Sequence, residues 1–417
     1  MATTSAQRAW RQRIRLGIEV RRCECGKKLR EESGKLCQSC WKRTPEGRAY
    51  NQHSVAVSTS KIDVVSEAKK IASKFSSELG FVSTAALKES FDKQCLDVIP
   101  GVGFAHWHHR RDGQTTIYSL AVLKEAQKQG WGRLLFYRVL CSLIECRNHF
   151  DRSASKFSIV AKCPENLPSN SFYRAMGFDL VATEPGKKRA LNVWHYSVEL
   201  PLLFFCGGGG KSKHDSNAKG EGWRLGLRSN GRNLAHEHMQ MVDNEWGDAY
   251  KHEQHLECVK RNKPLVATVQ DIESIEQLPE ALKHARELAK YCGRVLLIPK
   301  VKSWLPKCWL AYSIPTSHGG TLIEPEWFGD RLVHLLGGSP NDQAQYAKVL
   351  NVVSLDANYA SQLAENGKAT WQGVEKKIQH LTGEKGCYPA FKLSAKMQKK
   401  YWHSDRLEDW ANLPLFS

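Results

Sequence analysis

The 417-residue sequence contains no run of eighteen apolar residues, so no segment reads as a membrane-spanning helix. Its start, MATTSAQRAWRQRIR, lacks the apolar stretch of a secretory leader. Acidic residues are in deficit: 43 Asp and Glu stand against 61 Lys and Arg, a formal charge of +18. Such an imbalance bears on partners rather than on fold, and the expected partner is a polyanion. No basic amphipathic helix with a matching apolar face stands out, which places nucleic acid ahead of a membrane surface. A disulfide framework is also missing. The 13 cysteines are an odd number, and nine are scattered through apparent strands and helices. That pattern suits buried thiols in a reducing compartment, so a cytoplasmic chain, or a nuclear one if eukaryotic, is expected.

The length predicts two domains with a small appendage. The appendage is residues 1–60. Its first fifty residues carry thirteen Lys and Arg against five Glu. Within it Cys23-x-Cys25 and Cys37-x-x-Cys40 form two close pairs separated by a polar, turn-prone filling. Tetrahedral zinc takes four thiolates converging from two turns, so these cysteines are candidate ligands of a structural zinc. The filling has no core of its own and orders only with the metal. The segment resembles small treble-clef-like zinc modules of phage and mobile-element DNA enzymes. The following WKRTPEGR is basic and aromatic, which suits a share in phosphate contact.

Residues 61–200 read as a second α/β unit. Ile62 to Leu79 has helical periodicity, Val102 to His108 alternates as a strand, and Asp112-Gly113 marks a hairpin before a strand over Thr115–Leu123. Gln127-Lys128-Gln129-Gly130-Trp131-Gly132-Arg133 then opens an apolar helix. A strand leading into a glycine turn and a helix N-terminus presents free N–H groups and a positive dipole end to an anion. With Asn170-Ser171-Phe172-Tyr173-Arg174-Ala175-Met176-Gly177-Phe178 about forty residues on, this resembles the GNAT acyltransferase superfamily. The resemblance implies acetyl-CoA or another acyl-CoA, with Gln127, Gly130, Gly132, Arg133 and Asn170 at the cofactor. It also implies Tyr173 as the acid that protonates the departing thiolate. The segment at Asn170 is one residue shorter than the family's. His106 and His108 share one strand face and are candidates for a base, with a structural role as the alternative.

Residues 201–417 give eight candidate strands: Leu202–Cys206, Trp223–Arg228, Met239–Asp243, Pro264–Asp271, Arg294–Lys300, Trp309–Ile314, Leu332–Leu336 and Asn351–Asp356. Interleaved with helical stretches, they predict a compact or distorted (β/α)8 barrel, with a doubly wound sheet as the alternative. The glycines at 207–210 lack Walker A spacing, and residues 212–222 are polar and helix-poor, so a loop is expected there. The tail from Tyr388 is expected to pack as a helix on the barrel. Asp243, Asp271 and Asp356 each end a strand. In a closed barrel all three meet at the carboxyl-end face, where active sites form.

VDNEWGDAY, KPLVATVQDIESIEQLPEALKHA, VHLLGGSP and VVSLDANYASQLAENG, in that order, resemble the tRNA-guanine transglycosylase superfamily. The likeness is to the phage and bacterial branch that inserts 7-deazaguanines into DNA. It implies Asp356 as the nucleophile at the sugar C1′ and Asp243 as general acid and base. Asp271 would read the guanine-like edge, and Gly337 and Gly338 would offer backbone groups to the base. Gly-Gly-Ser-Pro departs slightly from the family's HLLG-x-G-x-P. Only Cys387 lies beyond residue 308, so the C-terminal zinc site of the tRNA enzymes is not carried here. No Ser-Gly-Gly follows Asp243, which favours the DNA branch.

The leading expectation is a DNA-modifying fusion enzyme. Its barrel exchanges guanine for a preQ0-type base, its GNAT module acylates that base or a neighbouring target, and the product resists restriction. A phage-encoded chain would act in host cytoplasm. Two alternatives stay open. In one, the GNAT module is the sole active centre, modifying a nucleobase or a protein with the barrel as a recognition scaffold. In the other, a nucleic-acid-binding protein uses both folds as platforms.

Overall fold

The computed structural model describes residues 63–110, 112–146, 156–186, 189–207, 213–229, 239–245, 247–306, 308–316, 319–369, 376–377 and 384–403. The candidate zinc ligands Cys23, Cys25, Cys37 and Cys40 lie outside them. Among the described residues no helix is long and apolar enough to cross a membrane.

The chain enters through helices α1 (Val64–Ser73), α2 (Ser76–Leu79) and α3 (Thr84–Asp92). Asp63 caps α1 by accepting the Val65 N–H, and Ser83 caps α3 by accepting from Ala86, each relieving an end that has no intrahelical partner. Six strands follow: β1 (Leu96–Ile99), β2 (Gly103–His109), β3 (Gln114–Val122), β4 (Lys156–Pro164), β5 (Asp179–Glu184) and β6 (Leu191–Glu199). Their order in the sheet is β1-β2-β3-β4-β6-β5, and only β3 and β4 run parallel. Helix α4 (Trp131–Cys146) makes the crossover between them, and the short α5 (Ser169–Ala175) follows β4. Leu134, Leu135, Phe136, Val139, Leu140, Leu143 and Ile144 are all buried, so α4 is covered on more than one side.

The second half closes. Strands β7 (Leu202–Cys206), β8 (Arg224–Arg228), β9 (Met241–Asp243), β10 (Val266–Ile272), β11 (Arg294–Pro299), β12 (Trp309–Ser313), β13 (Val333–Leu336) and β14 (Val352–Asp356) form one barrel of eight parallel strands in chain order. The closing pair sets Ser354, Leu355 and Asp356 of β14 beside Leu202, Leu203 and Phe204 of β7. All eight candidate strands are present, within two residues of their expected limits. The barrel is therefore complete, and the doubly wound alternative is excluded.

Its helices include α6 (Lys213–Gly220), α7 (His252–Asn262), α8 (Leu278–Ala289), α9 (Pro340–Ala347), α10 (Tyr359–Glu365) and the C-terminal α11 (Glu384–Trp402). Helix α6 corrects the loop expected over residues 212–222. Its sequence is poor in helix formers, but Asp215 and Ala218 are buried, and His214 meets the rings of Tyr388 and Phe391 at 5.3 and 4.6 Å. Tertiary contact overrides weak propensity here. As expected of the tail, α11 packs on the barrel: Phe391 meets Phe205 at 5.0 Å, and Trp223 Nε1 donates to the Ala395 carbonyl at 3.0 Å.

The six-stranded sheet and its helix α4 seal the amino end of the barrel. One apolar cluster runs from Trp107, Ile117 and Trp194 through Leu140 and Leu143 to Leu265, Leu296, Trp309 and Leu332, which sit at or near barrel strand starts. Each such side chain contributes roughly 1.5–3 kcal/mol on full burial. Positions 133, 137, 141 and 145 are four apart and so fall on one face of α4. Arg133 Nη2 donates to the Asn262 carbonyl at the end of α7 (2.8 Å). Tyr137 and Cys141 crowd Gly293, where an added Cβ would stand 3.2 and 3.3 Å from them. Glu145 is bonded to Arg294 and Trp309. Arg138, beside this face, donates to the Ala289 and Lys290 carbonyls that end α8. Cations at helix C-termini meet the negative ends of the helix dipoles.

Candidate functional site

In the six-stranded sheet, β2 and β3 pair as His106↔Ser119 and Trp107↔Ile117, so Tyr118 is an extra residue on β3. Such a bulge bends its strand. Pairing of β3 with β4 ends at the same level, at Ile117↔Ala161, although β3 continues to Val122 and β4 to Pro164. The two strands part there, and Tyr118 at the fork is exposed. His106, on the neighbouring strand, is 6% exposed with its ring 5.2 Å from that of Tyr118. Its Nδ1 is buried without a hydrogen-bond partner, and burial holds its pKa below the usual value. It shares a face with His108, as β2 alternation requires.

The expected cofactor loop leads from the end of β3 into α4. Gln127 ties it down by donating Nε2 to the Val122 carbonyl at 2.9 Å. Lys128 and Gly130 both take positive φ, 61° and 83°, which turns successive N–H groups toward one side. The first intrahelical bond is Leu134 N–H to the Gly130 carbonyl, so the N–H groups of residues 131–133 are free of the helix ladder. At Gly132 a Cβ would stand 3.2 Å from the Phe172 ring, which is why a glycine fits there. Arg133 Nε is buried without a partner.

Asn170 has a different setting from Tyr173. Its Nδ2 donates to the carbonyls of Pro164, Glu165 and Leu167, and its Oδ1 accepts from Asn192 Nδ2 and Trp194 Nε1. The side chain is fully engaged in shaping the turn after β4. Tyr173 is buried on the Trp194 ring, with 6.1 Å between centroids, and burial raises its pKa so that it holds its proton.

The barrel's carboxyl end gathers the three carboxylates. Asp356 ends β14 and is 9% exposed. Its Oδ1 accepts the Gly337 N–H at 2.9 Å and lies 3.4 Å from His334 Nε2. The other ring nitrogen of His334 meets Ser354 Oγ at 2.9 Å. Gly337 and Gly338 have φ of 69° and 79°, and the turn is locked by a capping box between Ser339 and Asp342 that starts α9. From α9, Gln343 Nε2 reaches back to the carbonyls of Gly337 (2.9 Å) and Asp356 (2.7 Å). Both backbone groups of Gly337 thus serve the fold, its N–H directly on Asp356.

Asp243 ends β9 and is also 9% exposed. Its Oδ1 accepts from Thr268 Oγ1 at 2.9 Å and from the Asn244 N–H at 3.1 Å. Burial, then the charge of Asp356, pushes its pKa up to about 7, against the opposing pull of Thr268 and Arg228. Thr268 is itself held from behind, since the neutral His255 bridges the Thr268 carbonyl (2.7 Å) and Ser229 Oγ (2.6 Å). Burial takes the His255 pKa down to about 4. Asp271 lies past a bulge in β10 and pairs with Lys300 Nζ at 3.2 Å. Burial raises its pKa, and Lys300 works against the rise.

Asp243 and Asp356 interact, and burial, then the charges of Asp356 and Asp243, raises the pKa of the Cys206 thiol at the end of β7. His334, Thr268, Gln343 and Lys300 are not foreseen by the sequence reading. A His three residues before Gly337, and a strand threonine three before Asp271, carry no spacing signal of their own. A separate cleft of about 530 Å³, lined by Tyr250, His252, Gln270, Glu280 and His284, contains none of the three carboxylates. Among the described residues no group of three or more His, Cys, Asp or Glu side chains is placed to hold a metal.

Residues 218–403 match a family described only as a family of unknown function, DUF6610. Residues 98–178 match the acetyltransferase (GNAT) family. No curated protein matches the chain. Among solved structures, Ard1 from Thermoplasma volcanium is 18% identical with a TM-score of 0.28, over 33% of this chain and 92% of that one. The ribosomal-protein-S18-alanine N-acetyltransferase from Escherichia coli is 15% identical with a TM-score of 0.24, over 34% and 90%. The family match covers the fork between β3 and β4, the loop at residues 127–133 and α4, so the N-terminal half of the chain contains a GNAT domain.

Proposed function

We propose that the chain is a transferase with two centres: an acyl-CoA-dependent N-acyltransferase in the GNAT domain and a base-exchange glycosyltransferase at the barrel mouth. The first reading is carried by one coincidence. The bulge at Tyr118, the parting of β3 from β4 and the free N–H groups that open α4 fall together within a GNAT family match. Acyl-CoA supplies an activated acyl thioester. The backbone of residues 130–133 and the Arg133 guanidinium, whose Nε is buried without a partner, suit its phosphates. Tyr173 holds a proton for the leaving thiolate, and His106, kept neutral by burial, suits the base that takes one from the acceptor amine. Asn170 shapes the turn that carries Tyr173. Binding of acetyl-CoA to the full chain, followed by calorimetry, tests this reading, and absence of any heat or thermal protection refutes it.

The second reading is carried by the interacting pair of buried carboxylates at the barrel's carboxyl end. Asp356, with both hydrogen bonds on Oδ1, presents Oδ2 as nucleophile to the sugar C1′ of a nucleotide and forms a glycosyl ester as the base departs. Asp243, with a pKa of about 7, gives a proton to the departing base and takes one from the incoming base. Asp271 accepts donors on the base edge, and Gly338 lies on the turn facing the same end. The buried nucleotide leaves the duplex stack to reach Asp356. The family resemblance and the excess of basic residues favour DNA over tRNA as substrate and a 7-deazaguanine of the preQ0 type as the incoming base. In that reading the product shields phage DNA from restriction, and the GNAT domain acylates the inserted base or a neighbouring target. The segment holding Cys23, Cys25, Cys37 and Cys40 adds a zinc-ordered basic contact to the nucleic acid. Mass spectrometry of nucleosides from cells expressing the chain reports the product directly. Incorporation of labelled deazaguanine by an Asp356→Ala protein would end the nucleophile assignment.

A further inference from the structure

Lys263 belongs to the barrel, yet its side chain lies at the cofactor loop of the GNAT domain. It follows α7 with φ 45°, the left-handed conformation in which glycine or asparagine is the ordinary residue. A lysine held there carries backbone strain, which points to its side chain as the reason for its presence. The residue is 9% exposed. Its Nζ donates to the Lys260 carbonyl at 3.0 Å and stands 4.4 Å over the ring of Trp131, the first residue of α4. A Cβ on Gly130 would lie 3.4 Å from both Lys263 Cδ and Arg133 Nη2.

Two cations therefore converge on the amino end of α4, the positive end of its dipole, where carboxylates and not ammonium groups are favourable. Among the described residues neither has a carboxylate partner. Arg133 donates to the Asn262 carbonyl and leaves Nε buried and unbonded, and the two cations repel each other. The carbonyls of Asn262 and Lys260 that end α7 accept from the two cations and offset part of their charge, and an anion placed between them would relieve the repulsion that is left. The anion chemistry this suits is a diphosphate, multiply charged and able to accept from the free N–H groups and both side chains at once.

We propose that Lys263 of the barrel, with Arg133, binds the diphosphate of acyl-CoA, so that both domains build the cofactor site of the GNAT domain. This rests on the acyl-CoA reading above. It makes the barrel a working part of the acyltransferase whatever chemistry the barrel mouth performs.

The test uses the full chain and the variants Lys263→Met, Lys263→Arg and Lys263→Gly. Acetyl-CoA, 3′-dephospho-acetyl-CoA and S-acetylpantetheine are titrated and followed by ligand-observed NMR. Lys263→Met is expected to weaken both diphosphate ligands about tenfold or more, the loss typical of one charge-assisted bond. S-acetylpantetheine should bind as it does to wild type, and Lys263→Arg should recover most of the affinity. Lys263→Gly separates folding from binding. It relieves the left-handed strain, so its melting temperature is expected to match or exceed wild type while its acetyl-CoA affinity falls. Unchanged acetyl-CoA affinity, or equal losses for all three ligands, overturns the proposal. A dependence on Lys263 that disappears with the dephospho ligand overturns the diphosphate assignment. If wild type binds none of the three, the acyl-CoA reading itself is what fails.

Discussion

Glu145 of the GNAT helix accepts from Nε and Nη2 of Arg294, the first residue of β11, at 2.6 Å each, and from Trp309 Nε1 at 3.0 Å. This one carboxylate joins the two domains at the point where their apolar cores merge. The geometry is bidentate, which lysine cannot reproduce. Both side chains keep about a third of their surface exposed, at 34% and 33%, so solvent weakens the pair relative to a fully buried one. Glu145→Ala is expected to lower stability by roughly 1–3 kcal/mol, and Arg294→Lys by less. Denaturant unfolding of the full chain checks this. A Glu145→Ala protein as stable as wild type would show that the apolar cluster alone holds the domains.

Asp243 makes stability depend on pH in a definite direction. Its native pKa, about 7, is above the ordinary 3.8, so the folded chain holds this proton more tightly than the unfolded one. The contribution is complete below pH 4 and is lost as pH rises to 7 and beyond, a change on the order of a few kcal/mol. Asp243→Asn removes the titration. Its melting temperature is expected to exceed wild type at pH 8 but not at pH 4, while the proposed base exchange is lost. Parallel melting curves for the two proteins across this range would exclude the buried, proton-binding carboxylate.

The two glycines of the β13–α9 turn differ in what surrounds them. A Cβ on Gly338 would stand 2.9 Å from two carbons of Ile314, whereas one on Gly337 meets nothing within 4 Å. Both have positive φ. Gly338→Ala is expected to cost roughly 2–3 kcal/mol and Gly337→Ala about 1 kcal/mol. The larger loss should come with a reduction of the proposed base exchange, because displacing this turn moves the Gly337 N–H off Asp356. Equal losses would mean that Ile314 yields.

Tyr173→Phe removes the hydroxyl and keeps the ring on Trp194. Acyl transfer is expected to fall about 10²-fold in kcat, with acetyl-CoA affinity near wild type. A fall in affinity with unchanged kcat would assign Tyr173 to packing instead.

Much of this architecture was legible from residue pattern. Val352-Val353-Ser354-Leu355-Asp356 and its seven counterparts are short apolar runs bounded by turn formers, and such runs identify strands without tertiary information. What escaped was set by contacts between segments far apart in sequence. Helix α6 forms from Lys213–Gly220 because His214, Asp215 and Ala218 find partners, including α11 some 170 residues later. The docking face of α4 leaves no mark in the sequence because Arg133, Tyr137, Cys141 and Glu145 differ in chemistry and share only a spacing. His334 gave no signal for a similar reason: its importance comes from β14, which places Ser354 and Asp356 beside it.

The filled junction between the domains also governs traffic. Tyr137, Cys141, Leu265, Leu296 and Trp309 are all buried where the sheet meets the barrel, and interiors of this kind are packed as densely as organic crystals. No small molecule passes along the barrel axis from the fork between β3 and β4 to Asp356. Anything handled at both ends makes the journey outside, through solvent, or stays attached to a polymer long enough to present itself at each opening in turn.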